Sequence, residues 1–406
     1  MTLDNKQLQR KFIYFPSFDA GPAGNSYKKD LRFKDGTPYR FYQEGFPKNY
    51  LHKRFLFPAG HNYKNMNLRK QFQFPPGTIV FGDSGGYQIA TGILKWDSTI
   101  RQKIFEWLEE NSDIAMNIDI PTRGMYEGKF EECLKISSEN FKYFHDNQTG
   151  KTRFLNVLQG TNQGEYKRWY DEVKQYDFQG WAIGGGRNIY NLMSALAILL
   201  EGKEHLNKNN KVLHILGVSK IADFLLLGQL QRSLNEIGSN MQVTTDSSSP
   251  SRSTVYGFWY TGFDIKEEVF RCVHIPRKDK ANILDTCTFG RLPAMCPEID
   301  KVIFDNFTLD EFMEMKTEHY AAMVLHNFGI FIDAINQCNE LVYSDRYILD
   351  QLLCHDSALI LKSIDEMIKT GKPMEVFNKY LPIYKKVAAK QDAAAGQETV
   401  NEFFQL

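Results

Sequence analysis

From Thr78 onward the chain repeats one pattern, in which a short apolar run is followed by a longer amphipathic segment. The runs TIVFGDS (78–84), DIAMNIDI (113–120), RFLNVLQG (153–160), GWAIGGG (180–186), KVLHILGV (211–218) and MQVTTDS (241–247) have the length and composition of buried strands. Between them lie TIRQKIFEWLEENSD, KFEECLKISSENFKYF, EYKRWYDEVKQY, NIYNLMSALAILLEG and ADFLLLGQLQRSLNEIG, whose apolar positions recur at helical spacing. In the first, Ile100, Ile104, Trp107 and Leu108 share a face; in the last, Phe224, Leu227, Leu230 and Leu234 do. Strand and helix alternating in this way predict parallel βαβ units.

The polar residues choose between an open sheet and a barrel. Asp83, Asp119, Gln159, Gly184 to Gly186, Gly217 and Asp246 all fall at or near the carboxyl ends of successive predicted strands. A barrel gathers those ends into one ring, where its chemistry sits, whereas an open sheet spreads them along a crevice. The fold expected is therefore α/β, a (β/α)8 TIM-type barrel. The domains expected are a basic, aromatic-rich N-terminal extension over 1–76, the barrel with a subregion suited to zinc over 77–345, and C-terminal helices with a loosely held tail over 346–406.

Composition adds little against this reading. The 406 residues are 42% hydrophobic and 24% charged, ordinary for a folded chain. The opening MTLDNKQLQRKF has charges and amides where a signal peptide is apolar, and no apolar run approaches the ~18 residues of a membrane span, so a cytosolic protein is expected. Six cysteines are too sparse for a disulfide framework. Net charge is zero, but Tyr27 to Phe74 holds 11 Lys and Arg against 3 Asp and Glu, among 12 Phe and Tyr. That mixture suits phosphate contact and base stacking in a nucleic-acid arm; it equally suits a basic surface over an aromatic mini-core.

The string GDSGG at 82–86 invites a serine-protease reading, which the rest of the chain opposes. A Ser-His-Asp triad of that kind sits on antiparallel barrels, whereas this chain alternates strands with helices, and Tyr87 rather than proline follows the second glycine. Three strand-end aspartates around one pocket instead suit glycosidic-bond chemistry, in which one carboxylate attacks the anomeric carbon and another carries the proton. A third carboxylate with a glutamine and glycine amides can read the donor and acceptor edge of a heterocycle such as guanine.

These segments resemble, in order, the tRNA-guanine transglycosylases and their relatives acting on DNA. The matches are DSGGYQ (83–88), NIDIP around Asp119, VLQG (157–160), AIGGG (182–186), LGV (216–218), DSSSPSR (246–252) and LHNF (325–328). The resemblance implies Asp246 as nucleophile on C1′ and Asp83 as general acid and base. It implies Ser84, Asp119, Gln159, Gly185 and Gly186 on the base edge, Tyr87 and Leu216 against its faces, and Arg252 on backbone phosphate. Leu216 stands where the family has methionine, a swap of similar volume. The family's zinc site is a compact cysteine cluster with a histidine; here Cys287, Cys296 and His326 are the candidates, more widely spaced, with Cys272 and His274 a conceivable further pair. No nucleotide cofactor is implied. The altered metal region and unlike N-terminal stretch favour the DNA-modifying branch, found in phages and bacterial modification systems, over tRNA. The expected partners are DNA (or tRNA) and a 7-deazaguanine base. The sequence is compatible with a homodimer or a partner subunit, and with a non-catalytic role for the same barrel.

Overall fold

Eight parallel strands form the centre of the protein in a computed structural model that describes residues 10–17, 31–40, 42, 46, 52–64, 67–185, 188–275, 297–314, 316–344 and 346–404. The strands are β1 (Ile13–Pro16), β2 (Arg54–Pro58), β3 (Ile79–Asp83), β4 (Ile114–Met116), β5 (Arg153–Leu158), β6 (Gly180–Ile183), β7 (Val212–Ile215) and β8 (Gln242–Ser247). They pair in the order β1-β8-β7-β6-β5-β4-β3-β2. A parallel bridge between Ser17 and Leu56 joins the two ends of that order. Together with the helices between strands, this is the α/β (β/α)8 TIM-type barrel.

The barrel draws its first two strands from the stretch that the sequence pattern separates as an extension, so its architecture begins at Ile13 rather than at residue 77. Periodicity hides them for a physical reason. IYFP and RFLFP are only four and five residues long and end in proline, and their neighbours are aromatic as well. Many of the aromatic side chains of the 27–74 stretch are core. Phe33, Tyr39, Tyr42, Phe46, Phe55, Phe57 and Phe72 are buried, and Phe55 and Phe72 each stack on Phe74 with ring centroids 5.3 and 5.4 Å apart. Rings buried in this way are not platforms for bases, while cations of the segment such as Lys34, Lys53, Arg54 and Lys70 are exposed.

The helices between strands are α1 (Ser98–Asn111), α2 (Phe130–Asn147), α3 (Gln163–Val173), α4 (Ile189–Glu201) and α5 (Ile221–Glu236). Their starts are set by side chains. Asp97, Asn162 and Asn188 accept from Ile100 N, Glu165 N and Asn191 N, satisfying amides that each first turn leaves free. Ile104, Trp107 and Leu108 of α1 are buried, as are Phe224, Leu227, Leu230 and Leu234 of α5. After β8 come a short helix (Ser249–Val255) and an antiparallel pair, β9 (Phe258–Asp264) and β10 (Val269–His274). Three long helices follow: α6 (Thr317–Val342), α7 (His355–Thr370) and α8 (Pro373–Phe404), the last two packing on α4 and α5. Among the described residues, no helix is long and apolar enough to cross a membrane.

One close approach fixes the site from below. At Gly82, the residue before Asp83, a Cβ would overlap the side chains of Leu108 and Ser112. Only a hydrogen there lets β3 lie against α1. Gly82→Ala is expected to lower the unfolding free energy by about 1–3 kcal/mol, read as a lower urea midpoint at unchanged m-value. An unshifted midpoint would show that α1 moves aside freely.

Candidate active site

Loops at the carboxyl ends of β3 to β7 enclose a cavity of about 370 Å³. Asp83, Tyr87, Asp119, Gln159, Gly185 and Leu216 all line it. Six residues spread over 134 positions of sequence thus meet because parallel strands of one barrel end at one rim.

The carboxylates differ in environment. Asp119 is 6% exposed and accepts a hydrogen bond from Gln159 Nε2 at 2.6 Å. Burial pushes its pKa up to about 7, against the lowering effect of Gln159 and with a further push from Asp83. Asp83 is raised to about 6, chiefly by burial, with the Gly85 N–H bond at 3.1 Å opposing and the charge of Asp246 adding. Each carboxyl therefore stands where its proton is exchangeable near neutral pH, which is the condition for acid and base duty.

Asp246, in β8, is held differently: it does not line the cavity, although its partner Gly217 does, and its side chain is 16% exposed. Its Oδ1 accepts the backbone N–H of Gly217 at 2.8 Å and faces His214 Nε2 at 3.3 Å. The His214 ring is fully buried, sits 2.9 Å from Thr244 Oγ1 through Nδ1, and lies on Phe81 with centroids 4.3 Å apart. One carboxylate oxygen is thus fixed by β7 and its loop, and no hydrogen bond engages Oδ2 among the described residues.

Glycines keep the rim thin. A Cβ on Gly184 would overlap the Gln159 amide, and Gly185, at φ +72°, lies against Gly160 O and Gln159 Oε1. Tyr87 is 52% exposed, with the Arg123 guanidinium 5.7 Å from its ring centroid. Ser84 is 1% exposed, and among the described residues its hydroxyl meets no hydrogen-bond partner, histidine included. It does not line the cavity. Arg252 is exposed on the short helix that follows Asp246.

The remaining candidates fall elsewhere. Gly186, Cys287 and Cys296 lie outside the described residues. His326 is fully buried: Nδ1 meets Asp300 Oδ1, Nε2 lies 2.6 Å from Tyr260 O, and the ring stacks on Trp259. Both nitrogens are thereby engaged, so ligation by His326 would first break one of these bonds. Its neighbour Asn327 accepts from Tyr260 N and donates to Phe258 O and Thr254 Oγ1, tying α6 to the segment after β8. Among the described residues no group of three His, Cys, Asp or Glu converges on a metal position.

Sequence reasoning missed His214, Arg123 and the pair Lys220 and Asp223, which also line the cavity or support it. Asp223 is pushed up to about 6 by burial, with Lys220 opposing. The signal for His214 was present in KVLHILGV, where a lone polar residue occupies an otherwise apolar strand. No protein-family model matches the chain, and a search of curated proteins finds no significant match.

Proposed function

We propose that this protein is a nucleic-acid guanine transglycosylase, with DNA as the favoured polymer and a 7-deazaguanine as the incoming base. The observation that carries this reading is the single rim of three aspartates: two with raised pKa in the cavity, and a third whose Oδ1 is fixed and whose Oδ2 is not. A cavity of about 370 Å³ lies at the lower end of the usual ~300–1,000 Å³ range for ligand sites, a size suited to one heterocycle.

In the first displacement Asp246 Oδ2 attacks C1′ of the target guanosine, and the C1′–N9 bond breaks with its electrons moving into the purine. Asp83 in its acid form protonates the departing guanine, and the polymer is left as an ester on Asp246. In the second, the Asp83 carboxylate takes the ring N–H proton of the incoming base, whose nitrogen attacks C1′ and releases Asp246. One glycosidic bond replaces another, so no oxidant or nucleotide cofactor enters the balance. The Asp119–Gln159 pair supplies an acceptor and an amide to the edge of the base, and Tyr87 and Leu216 supply its apolar contacts. Buried polar groups of this kind reject bases that leave them unpaired.

The deciding experiment is incorporation of labelled guanine into duplex DNA, single-stranded DNA and tRNA, each incubated separately with the protein. Label in none of them overturns the proposal. Asp83 adds a pH signature. Its acid form is needed to release guanine, so single-turnover release is expected to decline as pH rises through about 6. Asp83→Asn should remove that limb along with most of the rate, and an unchanged limb in the variant would reassign it.

A further inference from the structure

The groups that would read a guanine here are deeply placed, Asp119 at 6% and Gln159 at 5% exposure. A guanine can reach them only after leaving its stack completely, and in a duplex this opens a gap beside its neighbours. Given the proposed base-exchange chemistry, on which this inference rests, something must stabilise the opened helix.

Five of the nine exposed large apolar side chains among the described residues follow strand ends on the active-site side: Tyr87, Ile93, Met125, Val255 and Tyr256. Three of them make one projection. Ile93 is 67% exposed and Met125 57%, two large apolar side chains left in water on adjoining loops. A Cβ on Gly92 would lie 3.3 Å from the Met125 sulfur, so the tip after β3 and the loop after β4 rest on each other. The base of the projection is firm. Thr91 N donates to Tyr87 O at 3.0 Å, Leu94 N donates to Gln88 O at 3.0 Å, and Gly124 is pressed against Ala90 O. It is continuous with the cavity, because Tyr87 and Arg123, the cavity-lining residues at its root, pair ring to guanidinium. Lys95 and Lys129 are exposed cations in these loops, and Asp97 and Glu127 are exposed carboxylates there.

We infer that Ile93 and Met125 form an apolar wedge that enters the space vacated by the everted guanosine in duplex DNA. Apolar wedges of this kind unstack a base step and hold it open. The nearby cations Arg123 and Lys95 suit the phosphates on either side. Neither wedge residue lines the cavity, so chemistry on an already unstacked base does not need them.

The test compares wild type with the double variant Ile93→Ser/Met125→Ser on three substrates: a paired duplex, the same duplex with the target guanine mismatched, and the target strand alone. Labelled-guanine exchange by the variant should fall roughly 10- to 100-fold on the paired duplex, less on the mismatch, and within about 3-fold of wild type on the single strand. A second readout needs no turnover. With 2-aminopurine next to the target, binding of Asp246→Asn protein should raise fluorescence, and adding the two serines should remove the rise. An equal loss on duplex and single strand, or no loss on either, overturns the wedge. Wild-type exchange on single strands but not on duplex overturns it too, while leaving the base-exchange reading intact. Failure of wild type on every polymer removes that reading instead.

Discussion

Asp246→Asn is expected to lower guanine exchange by at least ~10³-fold and to abolish the covalent protein–polymer adduct that denaturing gels would trap from wild type with DNA alone. The geometry makes this substitution informative. Asn can keep its side-chain oxygen on the Gly217 N–H, so the loop after β7 should stay in place. What it loses is the charge at the second oxygen, the one without a hydrogen bond among the described residues. A folded variant without adduct therefore reports on nucleophilicity rather than on collapse. Retention of both adduct and exchange would move the nucleophile to another carboxylate, and Asp83 would be examined first. His214 offers an internal comparison. It braces Oδ1 from behind and does not line the cavity, so His214→Phe should slow the chemistry by misplacing Asp246 while leaving the adduct detectable.

How the site could be read from the chain follows from where its information lies. β3 to β7 are short, largely apolar runs, interrupted by Asn156 and His214, β8 mixes Val243 with buried threonines, and a polar or glycine residue stands at or near the carboxyl end of each. Burial on both faces of a parallel strand produces such runs, so both the element and its active end are marked locally. Asp83, Asp119, Gln159, Gly185 and Leu216 accordingly meet in one cavity. β1 and β2 were not marked, because strands of four and five residues within an aromatic-rich stretch carry no period of their own; pairing with β8 and β3 defines them. The same limit applies to His214 and Arg123. Their roles arise from what lies opposite, Asp246 in one case and Tyr87 in the other, and such neighbours are distant in sequence. Ser84, whose base contact was an implication of the resemblance, is buried and does not line the cavity, an environment that its place beside Asp83 does not announce. LHNF also carries structural weight that its sequence does not announce, since its histidine and asparagine hold β9 and the helix before it.

Asp119→Asn should move activity and stability in opposite directions. Burial raises the Asp119 pKa from its ordinary value of 3.8 to about 7 in the folded protein, so folding disfavours its ionised form. The stability associated with the neutral carboxyl is fully present below about pH 4 and is lost as pH rises through about 7. Wild type at pH 8 thus carries a buried charge that the amide does not have, while the amide oxygen can still accept from Gln159 Nε2. The variant is expected to be more stable than wild type by on the order of 3 kcal/mol at pH 8, with the gap closing toward pH 4, read from urea midpoints at both pH values. Exchange should fall by roughly 10²-fold or more, because an amide cannot alternate between accepting and donating a proton at the base edge. A stability gap that persists unchanged at pH 4 would show that the gain comes from packing rather than from ionisation. A variant that is both less stable at pH 8 and fully active would remove Asp119 from the site. The expected pairing of lost activity with gained stability is what a strained charge kept for chemistry produces, and it separates a working carboxylate from one that merely completes the barrel wall.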